Sequence, residues 1–400
     1  MKKNIVIVVI ILAITGYIAG ILTTKKLAEE QLPRLIEEFS EYHEFEVNVE
    51  WLAQGWRSGK VRISGNAELD NSTRILFSEN VDLTYGFLSA RWIGQGESRI
   101  DALLAEGMTP YTYSSQGRVS RGGLFLDYQG DAYNQVWNDW SLELGVVHAQ
   151  LAMVGSKILM DWQVSHAFYG LGENEGVAAR DVKVHWGTQT RNGVAEVVDL
   201  RSHVGQFGMT FGQDAESFNW HGEDIGYSFF MDATREDASI YGSSNANFIW
   251  SDSPTTVTVD WRLNGVKSAD VLVLQRFLID RDFSELDDEA WANLAAFVSV
   301  DPELVVERFV GESEQLGKLE LHGSMTFLTE RWAEMMDSLD NHRNVPFNAT
   351  LGLMNLDVTV TELPAMGQML LLALPEDAQS MPLRIILKDG EFSANGHPVD

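Results

Sequence analysis

From Glu44 onward the apolar residues of this chain recur at every second position. Only an extended strand with one wet face turns that period into a single apolar side. Phe45, Val47, Val49 and Trp51 alternate with Glu46, Asn48 and Glu50; after Gln54-Gly55, the segment Val61, Ile63, Gly65, Ala67, Leu69 alternates again. The two segments predict an antiparallel pair. Val182, Val184 and Trp186 lead towards Asn192-Gly193, with Val194, Val198 and Leu200 beyond it. Val257, Val259, Trp261 and Leu263 run into Asn264-Gly265, and Leu383, Ile385 and Leu387 into Asp389-Gly390, with Phe392 and Asn395-Gly396 following. Asn-Gly and Asp-Gly supply the positive φ angles of a type I′ turn, so each predicts a hairpin. The 34 Gly and 9 Pro suit a meander of many strands. At about ten residues per strand and turn, residues 44–265 would hold roughly 22 strands, and one open sheet of them would reach at most roughly 105 Å.

A helical interval is expected from about residue 284 to 340. Ser284 caps a helix carrying Leu286, Ala290, Leu294, Phe297 and Val298, and Asp301-Pro302 reads as a second cap with proline at the first helical position. Trp332, Met335, Met336 and Leu339 keep helical spacing. Gly317 to Phe327 and Met354 to Val360 read as strands, and Pro364 to Ala373 as a short apolar helix.

Ahead of the strands, Ile5 to Leu22 carries no charge over 18 residues; Lys2 and Lys3 precede the run, and Lys25 and Lys26 close it. As a helix it would rise about 27 Å, close to the roughly 30 Å of bilayer hydrocarbon. A cleaved leader has a shorter apolar region and a small-x-small site. This run ends Ile21-Leu22-Thr23-Thr24-Lys25. The expectation is a short cytoplasmic N-terminus over 1–4, a retained single-pass transmembrane anchor over 5–23 and an acidic helical stem over 24–43. In the stem Leu32, Leu35, Ile36 and Phe39 share a face, and Pro33 marks a kink or a fresh start. Gly16 and Gly20 make a GxxxG, which either lets two anchors approach closely as a homodimer or is a chance pair of glycines.

The four flanking lysines belong to a total of 29 basic residues, so the body behind them sets 25 basic side chains against 58 acidic ones. Such a surface repels nucleic acid and anionic lipid headgroups. Zero Cys excludes disulfides, thiolate metal sites and cysteine nucleophiles, and suits an oxidising compartment. With the N-terminal anchor, the body therefore reads as extracytoplasmic, most simply periplasmic. The fold class expected is mainly β (α+β): an extended antiparallel β-meander over 44–280, then a helix-bearing β region over 281–400 with a C-terminal hairpin.

Catalytic patterns are absent: the chain holds no G-x-S-x-G, no H-E-x-x-H and no P-loop. Gly170 to Gly176 has one residue too many for a dinucleotide fingerprint and is acidic where a pyrophosphate would sit. Asp280, Asp282 and Ser284 start like a calcium loop, but Glu285 and Trp291 stand where glycine and glutamate belong. No cofactor is expected. His148, His166, His185, His203 and His221 recur at intervals of 18, 19, 18 and 18 residues. Two short strands per interval would put them on alternate strands roughly 9.6 Å apart, too far for ligands that bond a metal at about 2 Å. Of the 12 Trp, Trp51, Trp186, Trp250 and Trp261 sit in strand-like contexts, where aromatics are core or cross-strand partners before they are ligand platforms.

The anchor, the acidic stem and the turn Gln54-Gly55-Trp56-Arg57-Ser58 between strands together resemble the YdgA-like family of membrane-anchored bacterial proteins, a domain of unknown function. The terminal Leu387-Lys388-Asp389-Gly390 and Asn395-Gly396 hairpin is the most specific part of the likeness. The resemblance implies a Gram-negative inner-membrane protein with a periplasmic body and brings no catalytic residues. Three functions remain open. The first is a non-enzymatic envelope protein that binds a protein partner or apolar ligand. The second is a lipid-binding or lipid-transfer β-groove, which requires a continuous apolar trough. The third is a periplasmic hydrolase using paired carboxylates, which requires a polar pocket with converging acids.

Overall fold

The computed structural model describes residues 21–26, 29, 45–70, 73–101, 109–137, 140–171, 175–191, 194–211, 218–250, 253–280, 301–328, 331 and 352–399. Most of these lie in strands, and each described ladder is antiparallel. The chain divides into two compact units, Met1–Lys183 with Thr210–Glu216, and Val184–Met209 with Ser217–Asp400.

The first unit is a meander. β1 (Phe45–Gln54), β2 (Ser58–Asp70), β3 (Thr73–Gly86), β4 (Ser89–Asp101), β5 (Tyr111–Ser120) and β6 (Gly123–Gly130) pair in chain order. The expected first pair is present, with Val49 opposite Ile63 and Trp51 opposite Val61. β7 (Tyr133–Trp137), β8 (Trp140–Leu144), β9 (Val147–Val154) and β10 (Lys157–Leu171) complete the series. Gly130 faces Val147 and Tyr133 faces Leu144, so β6 and β7 are halves of one long strand, and β8 and β9 halves of the next. Register survives the break: Gly145 N donates to His166 O at 2.7 Å, and Ser165 N to Val146 O at 3.2 Å. Long strands of this kind correct the expected count. Among the described residues fifteen strands, not roughly 22, lie between Phe45 and Asn264.

One end of this unit holds its core. Val61, Val81, Leu83, Tyr85 and Ala90 are buried together, with Val49, Trp51, Ile63 and Trp92 against them. Ile21, from the helical residues 21–26, is buried in the same cluster. The rest of the expected anchor, including Gly16 and Gly20, and nearly all of the stem lie outside the described residues. No described helix is long and apolar enough to cross a membrane.

β11 (Glu175–Arg191) carries the chain onward to β12 (Val194–Phe211). In the second unit β13 (Phe218–Asp232), β14 (Ser239–Trp250), β15 (Ser253–Asn264), β16 (Glu303–Ser313), β17 (Gly317–Phe327), β18 (Met354–Glu362), β19 (Leu383–Lys388), β20 (Glu391–Ala394) and β21 (His397–Pro398) again pair in order. Two helices are described, α1 (Ser268–Asp280) and α2 (Ala365–Leu371). α1 covers one end of the sheet through Val271 and Leu272, and Leu363, Leu371 and Leu374 around α2 cover the other.

Two local expectations fail here. Asn264-Gly265 is no hairpin turn: Gly265 takes φ +74° and leads to α1, and β15 pairs with β16 across the interval. Asp301-Pro302 starts β16 rather than a helix, because Leu304 and Val306 continue a period of two and Pro302 still serves the ladder by accepting from Phe327 N. The predicted helix carrying Leu286 to Val298, and the Trp332 to Leu339 spacing, lie outside the described residues. The terminal hairpin forms as read. Asp389 and Gly390 hold φ +55° and +84° between the facing pair Lys388 and Glu391. Asn395 and Gly396 turn the chain again at +50° and +84°. A Cβ on Gly390 meets nothing within 4 Å. Gly390→Ala should therefore cost only its backbone strain, about 1 kcal/mol, read as a shift in the urea midpoint.

Candidate functional site

Register and alternation place the odd residues of β1, β3, β5 and β9, and the even residues of β4, β6 and β10, on one face of the first unit. Across the ladders they fall into rows. One row runs Leu83, Trp92, Gly117, Leu126, Leu151, Met160. The row beside it runs Tyr85, Ala90, Val119, Leu124, Met153, Ile158. Neither row holds a charge. From β3 to β10 they cross five strand spacings, about 24 Å at ~4.8 Å each.

This face is largely uncovered by described residues. The elements in substantial contact are all ladder neighbours, and residues 21–26 cover the apolar end. Val119 and Trp162, both on this face, are exposed. Glycines corrugate it. A Cβ on Gly117 would lie 2.2 Å from the Trp92 ring, one on Gly96 would lie 2.2 Å from Tyr113, and one on Gly130 would lie 1.6 Å from the Tyr111 hydroxyl. Each of these large side chains thus lies over a glycine on the next strand.

Three rows away from the Tyr85 row the apolar pattern is broken by an acid. Glu79 lies opposite Ile63 and Gly96, at a position whose parity places it with Val81 and Leu83. Its carboxylate occupies the space that a Gly94 side chain would fill, and Oε1 accepts from the Ser115 hydroxyl. Burial lifts this carboxyl above the usual carboxylate range, and the Ser115 hydrogen bond opposes the rise. Because the folded value is raised, this group's contribution to stability is present at low pH and is lost as pH climbs through the folded value. Tyr113 and Tyr128 sit beside it with ring centroids 5.0 Å apart. Burial, and then the Glu79 charge, push the Tyr113 phenol upward.

The opposite face is mixed: Ile93, Phe125 and Leu159 are exposed on it beside polar and charged pairs. Lys60 pairs with Asp82 at 3.0 Å, Gln116 donates to Asp127 at 3.0 Å, and His148 lies 2.7 Å from the same carboxylate. A shallow depression of about 480 Å³ there is lined by Ser78, Asn80, Gln95, Glu97, Thr112, Ser114 and Asp131. Its two acids flank Thr112, which donates to Asp131 at 2.7 Å. Their strands are two spacings apart, about 9.6 Å.

The second unit repeats the design. Met231, Ile240, Leu263, Leu304, Met325, Leu356, Leu387 and Phe392 align in one row from β13 to β20. The row beside it runs Phe229, Gly242, Trp261, Val306, Gly323, Val358, Ile385, Ala394. Here α1 and α2 cover both ends. The reverse face carries ion pairs such as Arg384 on Asp357, where the guanidinium holds the carboxyl below its ordinary range.

The histidine repeat has a different origin from the expected one. His148, His166, His185, His203 and His221 fall on consecutive strands, β9 to β13, because one long strand with its turn fills each interval. His148 faces Gln163, and His166 lies across from Gly145, so alternation puts these two on opposite faces. Among the described residues no group of three or more His, Asp or Glu is placed to hold a metal. Trp51, Trp186, Trp250 and Trp261 are all on strands; Trp51 packs on the core of the first unit, and Trp261 lies over Gly242 with Phe229 6.3 Å away. A comparison with protein-family models gives no match, and neither does one with curated proteins.

Proposed function

We propose that this chain is a single-pass, inner-membrane-anchored periplasmic protein of the YdgA-like kind, non-enzymatic, whose β body holds a lipid-like apolar ligand. The observation that carries the reading is the pair of uncharged rows from Leu83 to Met160 and from Tyr85 to Ile158, whose residues beyond the buried Leu83, Tyr85 and Ala90 are half-buried or, at Val119, exposed. At about 24 Å they exceed the roughly 15 Å depth of one leaflet of bilayer hydrocarbon. The position of Ile21 supports an anchored arrangement: this residue near the end of the apolar run is buried where the rows begin, among Val61, Leu83 and Tyr85. With that run in a bilayer, the rows start at the membrane.

Mass spectrometry of the full chain purified in a mild detergent tests the reading. Phospholipid or another amphiphile should remain bound at near one per chain. Protein that emerges lipid-free after gentle extraction contradicts it.

A further inference from the structure

We propose that Glu79, Tyr113 and Tyr128 form a head-group site for an ammonium-bearing amphiphile at the border of the apolar face. The inference rests on the lipid reading and names the class of ligand. Glu79 stands in the row next to Val81 and Gly94, within reach of a head whose tail lies along Leu126 and Leu151. One carboxylate oxygen is held by Ser115. The ion pairs of these strands, Lys60 with Asp82, Arg62 with Glu50 and His148 with Asp127, lie on the other face, so no described cation of that set reaches Glu79. A half-buried carboxylate without a counter-ion costs free energy that an incoming cation recovers.

The two rings strengthen the choice of cation. Tyr113 and Tyr128 are tilted by 34° with centroids 5.0 Å apart, and Gly96 leaves the room in which Tyr113 lies. Ring faces attract ammonium groups and repel anions. A phosphate-only or sulfate head would meet Glu79 and a body with 58 acidic residues. A neutral sugar head could hydrogen-bond here, but it would gain nothing from the carboxylate charge.

The test is native mass spectrometry of the full chain in a neutral detergent, offered phosphatidylethanolamine and phosphatidylglycerol with identical acyl chains. Retention of the ethanolamine lipid should exceed that of the glycerol lipid about tenfold. Glu79→Gln should abolish the preference, and Tyr113→Leu, which leaves the acid in place, should weaken it. Free ethanolamine at the same concentration should displace neither lipid. Equal retention of both lipids overturns the head-group site and leaves the apolar face intact. Retention of neither overturns both readings. A preference that survives Glu79→Gln overturns the assignment to this acid, and displacement by free ethanolamine overturns the amphiphile as ligand.

Discussion

Tyr85→Ala is expected to destabilise the first unit by about 3–5 kcal/mol, the cost of emptying a buried aromatic site. Tyr85 is fully buried at the end of β3, across from Ala90 and packed among Ile21, Val61, Val81 and Leu83. Its hydroxyl is buried without a hydrogen-bond partner among the described residues. Tyr85→Phe therefore removes an unsatisfied group and should leave stability unchanged or raise it by about 1 kcal/mol. Burial, with the negative charge of Glu29 adding to it, pushes the phenol up from 10.0 to about 12. Between those values the unfolded chain ionises and the folded one does not, so the wild type loses stability as pH rises through that window. Tyr85→Phe lacks that loss. Urea unfolding at pH 8 and pH 11 measures both effects; a wild type and phenylalanine variant that fall equally with pH would contradict the burial argument.

The second large effect concerns binding. Leu151→Asp places a charge between Leu126 and Met160, in the middle of an uncharged row. Leu151 is only half-buried, so the strand can keep its pairing with the aspartate turned to water. A ligand tail covering that position must desolvate the carboxylate, and bound lipid should fall at least about tenfold. Gln163→Glu, on the opposite face across from His148, should leave it unchanged. Lipid per chain by mass spectrometry, with circular dichroism as the folding control, separates the two.

Much of this architecture could be read from single strands. Alternation at Val47 to Trp51 and Val61 to Leu69 specified a pair, and Asp389-Gly390 specified its own turn. Register across many strands could not be read, because a period of two fits any even shift. The rows exist only through register, and so does the reason for the glycines: Gly94, Gly96 and Gly117 seat Glu79, Tyr113 and Trp92 from the neighbouring strand. The strand count erred because β6–β7 and β8–β9 run on through short breaks with the ladder in step. Asn264-Gly265 misled because positive φ at Gly265 serves a strand-to-helix exit as well as a hairpin. Glu79 was visible in principle. It is an acid at a core-parity position in Phe77, Glu79, Val81, Leu83, and such a breach of pattern marks a functional site more often than a surface charge does.

On the proposed function, one face of the first unit, and not the other, carries an apolar chain. Photo-crosslinking residues introduced singly along β9 in the full chain in cells test it directly. Positions 149, 151 and 153 should capture lipid, while positions 148, 150 and 152 should not. Capture without that every-other-residue pattern, or at no position, would contradict it.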